Sequence, residues 1–164
     1  MRTGGISLDF LRAIFVFLVI AAPQHAATAT CSLEAVDLRD SDSVLRFRTE
    51  VADTPEARSQ GLMHREQLPR LSSMLFIYPE AGPVSFWMRN TLISLDMLFF
   101  DETGTLAHIH PEAVPLDETP IPGGAAIRYV LEINGGLAEA FGIQEGAHLR
   151  SPALDQALAA WPCD

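Results

Sequence analysis

The 164-residue chain carries 11 basic and 21 acidic residues, a net charge of −10, and every fixed cation is an arginine. So acidic a surface repels nucleic acid and anionic membranes, and neither is expected as a partner. The length allows one domain with a sizeable core and is too short for two ordinary ones.

Residues 1–29 read as a secretory signal peptide. Arg2 and Arg12 flank a short n-region, "AIFVFLVIAA" is too brief to span a bilayer, and Ala27 and Ala29 supply small residues for cleavage before Thr30. Residues 30–164 then form a single globular domain with no stable membrane span, exported to a periplasmic or extracellular space. Cys31 and Cys163 stand at its two ends. In an oxidising compartment such a pair is expected to close a disulfide that clamps the termini.

"VLRFRTEV" alternates Leu45, Phe47, Thr49 and Val51 against Arg46, Arg48 and Glu50, which predicts a half-buried strand. "TPEARSQGLM" predicts a short helix capped by Thr54, with Pro55 in its first turn. "SMLFIY", "VSFWM" and "LDMLFF" predict short, well-buried strands, and "TLAHIH" follows the turn "DETG". "AAIRYVLEIN" alternates Ile127, Tyr129, Leu131 and Ile133 against Arg128, Val130, Glu132 and Asn134. A brief helix at "GGLAEAFG", a strand at "GAHLRS" and a C-terminal helix at "SPALDQALAAW" complete the chain. The fold class is therefore α+β: a mainly antiparallel curved sheet or barrel-like sandwich with two or three short helices.

A type I turn with Gly104 in the left-handed region would pair Asp101 with Thr105. That register sets Phe100 opposite Leu106, Leu98 opposite His108, and Asp96 opposite His110. Leu95, Met97 and Phe99 then face the core, while Asp96 shares a mixed face with Leu98 and Phe100. A carboxylate among such neighbours needs a partner. Candidates are His110, Asn90, Arg89, Arg58 and Arg65, in either a structural ion pair or the floor of a polar pocket. His108, His110 and Glu112 share a spacing that a metal could use, yet nothing local completes the set, so no metal and no cofactor are expected. The chain has no G-x-S-x-G elbow and no phosphate-cradling glycine loop. Trp87 could stack on a sugar ring or cover the sheet.

"R..GLM.RE.L", "MLF", "FWMRNTLISLDMLF" and "YVLEINGG" with its "GI..G" follow-on resemble the domain of unknown function 192 family over about residues 35–151. Ser94 departs from that pattern, which has proline after the "NTLI" segment. The resemblance implies a compact, often exported α+β domain without an established activity. It also implies that Arg58, Arg65, Asn90, Asp96 and Glu132 are motif positions, here expected to line one cleft between the short helix and the sheet. The leading expectation is a domain that binds a small polar ligand or envelope saccharide, with Trp87 stacking, Asn90 and Asp96 bonding hydroxyls, and Arg65 orienting Asp96. Two alternatives stay open: a hydrolase-like enzyme using Asp96 with Glu132 or His110, and a structural motif acting at a protein interface.

Overall fold

The computed structural model describes Met1 and residues 30–41 and 43–163. The expected signal peptide lies outside the described residues. In chain order the elements are β1 (Ala35–Asp40), β2 (Ser43–Ala52), α1 (Pro55–Gln60), β3 (Ser72–Phe86), β4 (Leu95–Phe100), β5 (Leu106–Ala113), β6 (Ile121–Asn134), α2 (Leu137–Ala140) and β7 (His148–Arg150). They build one seven-stranded sheet in the order β5-β4-β6-β3-β2-β1-β7. The architecture is α+β, as expected, and mostly sheet. It is a curled half-barrel of mixed strands rather than a sandwich, because α1 makes the crossover that sets β3 parallel to β2.

The two outer strands almost meet. Thr105 bridges His148, the Leu106 N–H donates to the Ala147 carbonyl at 2.8 Å, and the Gly146 N–H donates to the Leu106 carbonyl at 2.8 Å. Long-range backbone pairing therefore stitches the start of β5 to β7. The disulfide between Cys31 and Cys163 closes the chain ends, with Cα atoms 6.0 Å apart.

Both faces of the sheet are packed. One carries Phe47, Leu98, Phe100, Tyr129, Leu131 and Leu149. The other carries Leu62, Phe76, Met88, Met97, Phe99 and Val130. β4 is buried at all six positions, so its second face is core rather than a partly polar surface.

Three sequence expectations need correction. The turn forms as expected: the Gly104 N–H donates to the Asp101 carbonyl, the Asp101 N–H donates to the Thr105 carbonyl, and Phe100 pairs with Leu106. The register then slips by one, pairing Phe99 with His108, Leu98 with Ile109 and Met97 with His110. Asp96 consequently does not face His110. "SMLFIY" and "VSFWM" belong largely to one irregular strand, β3, which ends at Phe86 and leaves Trp87 and Met88 beyond it. The C-terminal segment forms turns rather than a helix. There the Gln156 side-chain amide donates to the Ser151 and Leu154 carbonyls, and the Asp155 N–H goes to the Tyr129 hydroxyl, so local bonds replace a helical ladder.

Candidate functional site

The helix α1 is short, and its ends are set by sequence. Thr54 accepts a hydrogen bond from the Ala57 N–H at 3.1 Å, Pro55 fixes the first turn, and Gly61 closes it at φ 49°. A Cβ at Gly61 would meet the Phe76 ring at 3.2 Å, so glycine serves both the turn and the close approach. α1 thus lies over the face of the sheet that carries Phe76 and Tyr78, with a cleft of about 410 Å³ beside it. Arg58, Tyr78, Phe86, Trp87 and Glu132 line this cleft.

Glu132 is the residue that sets it apart. It lies on β6 between Met74 of β3 and Met97 of β4, its cross-strand neighbours, and is only 5 % exposed. Among the described residues its carboxyl has no hydrogen bond or ion pair. Burial among apolar side chains raises its pKa to about 8 from the ordinary 4.5, so the group holds its proton at neutral pH. Among the described residues the other buried carboxylates, Asp37 and Asp96, are satisfied. Asp37, for example, takes both Arg46 and Arg150.

Arg58 reaches the same cleft from α1. Its Nη1 donates to the Asp53 carbonyl at 2.6 Å and the Ile77 carbonyl at 2.8 Å, and its guanidinium lies 5.1 Å from the Tyr78 ring centre. Tyr78 is held above the ordinary tyrosine range by burial, with Arg58 pulling it down and Glu132 pushing it up. Both groups are therefore within electrostatic reach of one phenol. Trp87 is 47 % exposed at the rim, with the Arg89 guanidinium 5.6 Å from its ring centre.

The remaining residues expected in the cleft lie elsewhere. Asp96 is fully buried on the opposite face of the sheet. Its carboxylate accepts the backbone N–H groups of Glu112 at 2.8 Å, Gly136 at 2.9 Å and Ala138 at 2.7 Å, and so ties the start of α2 to β4 and β5. Because Met97 pairs with Glu132, Asp96 falls opposite Ile133 and points away from Glu132, which separates the acid/base pair considered from sequence. Arg65 makes a two-point ion pair with Glu50, whose pKa is lowered chiefly by that hydrogen bond. Asn90 is exposed, in the left-handed region at φ 55°, and its carbonyl accepts the His64 N–H at 2.8 Å. Arg58, Trp87 and Glu132 are thus brought together; Arg65, Asn90 and Asp96 are not. Tyr78 was missed, although it follows Phe76 by two and must share its face.

His108 stacks on Phe99 at 5.8 Å and lies 3.7 Å from Glu145. Among the described residues no group of three or more His, Cys, Asp or Glu side chains is placed to hold a metal ion. No helix among them is long and apolar enough to cross a membrane.

Residues 36–151 match the family DUF192, described as "Uncharacterized ACR". The chain belongs to this family. Two crystal structures are similar to this DUF192 chain. One is a protein of unknown function from Novosphingobium aromaticivorans, with 38 % identity and a TM-score of 0.69, covering 70 % of this chain and 82 % of that one. The other comes from Sinorhizobium meliloti and is provisionally described as a transcription regulator. It has 37 % identity and a TM-score of 0.70, covering 74 % of this chain and 95 % of that one. No curated protein gives a significant match.

Proposed function

We propose that this DUF192 chain is an exported binding domain that takes a small polar ligand, an envelope saccharide, in the cleft between α1 and the sheet. The observation that carries the reading is the unpartnered carboxyl of Glu132 inside that cleft. The carboxyl lines the cleft, where a ligand hydroxyl can form the hydrogen bond that no protein group among the described residues supplies. Trp87 at the rim and Phe86 beside it supply flat apolar surfaces suited to the face of a sugar ring. Glu132 takes over the role that the sequence had suggested for Asp96 and Asn90. The Cys31–Cys163 disulfide fits an oxidising compartment.

Binding is non-catalytic in this reading, because the two carboxylates considered as acid and base occupy opposite faces of the sheet. Fluorescence titration of the oxidised protein with N-acetylglucosamine and its β-1,4 oligomers tests it. Saturable quenching is expected in the wild type, lost in Trp87→Ala and weakened in Glu132→Gln. Equal titration curves for all three proteins would refute the assignment.

A further inference from the structure

The cleft holds two polar groups of opposite type, and neither is used up within the protein. Arg58 forms no ion pair among the described residues, and only its Nη1 is occupied, by two backbone carbonyls. Its Nε–H and both Nη2–H donors therefore have no acceptor among the described residues. The backbone contacts also fix where the guanidinium sits, so its charge is a built part of the cleft. Glu132 does not neutralise it: no oxygen of Glu132 lies within ion-pair distance of Arg58.

We infer, resting on the saccharide reading above, that the sugar taken by this cleft carries one carboxylate, which pairs with Arg58 while its hydroxyls meet Glu132 and its ring lies against Trp87. Arginine presents parallel N–H donors that match a carboxylate at two points, a geometry a hydroxyl cannot reproduce. The charge count agrees. With Glu132 holding its proton, Arg58 is the one charged side chain among the residues lining the cleft and a single carboxylate pairs with it, while Arg89 beside Trp87 adds to the positive field at the rim. A polyanion is disfavoured, since the chain as a whole has a net charge of −10 and repels extended negative ligands. An ammonium sugar is disfavoured as well, because it would meet Arg58. The class is a monoacidic saccharide, of the uronic acid or lactyl-ether type.

Calorimetric titration with glucose, glucuronate and glucosamine separates the outcomes, because the three rings differ in a single charged group. Glucuronate is expected to bind about tenfold or more tightly than glucose, in line with two charge-assisted hydrogen bonds. Its affinity should weaken as sodium chloride rises from 20 to 300 mM, while that of glucose holds. Arg58→Gln should bring glucuronate down to the level at which the same variant binds glucose, and Arg58→Lys should keep part of the preference. Should Arg58→Gln fail to fold, the salt dependence of the wild type decides alone. Equal affinities for glucose and glucuronate, with no difference in salt dependence, would overturn the carboxylate inference and leave the saccharide reading standing. No binding of these three or of the N-acetylglucosamine oligomers would overturn the saccharide reading itself.

Discussion

Replacing Glu132 by glutamine should make the protein more stable and its cleft less useful. In the folded chain Glu132 titrates near pH 8, against 4.5 when unfolded, because burial disfavours the carboxylate. Between those values the native state keeps a proton that the unfolded state releases, so rising pH favours unfolding. The slope is about 1.4 kcal/mol per pH unit, which gives a ceiling of about 4 kcal/mol between pH 5 and pH 8. Glutamine has nearly the same shape and cannot ionise. The wild type and Glu132→Gln should therefore have similar stability at pH 5, with the variant ahead by up to about 4 kcal/mol at pH 8. Urea unfolding followed by far-ultraviolet circular dichroism at pH 5, 6, 7 and 8 measures the difference directly. Subtracting the two proteins cancels the many other acids of the chain. A difference that stays constant with pH would refute the reasoning, since it would mean that Glu132 is solvated or paired.

Asp96 should behave in the opposite way. Asparagine can keep the oxygen that serves Glu112 and Gly136 but turns an N–H₂ toward the Ala138 N–H. Losing one charge-assisted bond and stranding one buried donor destabilises by about 3–5 kcal/mol; a loss below about 1 kcal/mol in urea unfolding would contradict the buried-cap reading. Opening the disulfide, which spans 132 positions, by changing Cys31 and Cys163 together to serine should lower stability by roughly 4–5 kcal/mol on the chain-entropy account. Guanidinium unfolding of that variant beside the oxidised wild type checks the figure, and coincident midpoints would refute it.

Much of the fold could be read locally. The alternation of β2, the Thr54-Pro55 cap and the Asp101–Gly104 turn each depend on neighbouring residues, and each forms as its residues dictate. The hairpin register could not be read that way. Leu106 gives its backbone N–H and C=O to Ala147 and Gly146, some forty positions away, and Ala107 becomes the extra residue between Phe100–Leu106 and Phe99–His108. The face on which Asp96 lies could not be read locally for the same reason. The alternation in "AAIRYVLEIN" correctly separates Glu132 from Leu131 and Ile133. Which of Asp96 and Glu132 shares the face beneath α1 depends on β4–β6 pairing, which no local pattern encodes. Asp96 looked like the anomalous charge in sequence, yet three backbone amides absorb it completely. Glu132 looked ordinary on its polar face and, among the described residues, is the buried carboxyl with no hydrogen bond or ion pair.

A β-sheet is most vulnerable to unwanted pairing along its outer strands. In this molecule β7 is only three residues long, and the start of β5 spends its backbone groups on the 146–148 segment. The rest of β5 carries Pro111, which has no N–H to offer, and Glu112 at φ 46°, which bends the strand out of line. A neighbouring copy seeking to extend the sheet finds little straight, unoccupied backbone to join. Curling the sheet until its margins are bridged thus leaves little open edge for another strand to join.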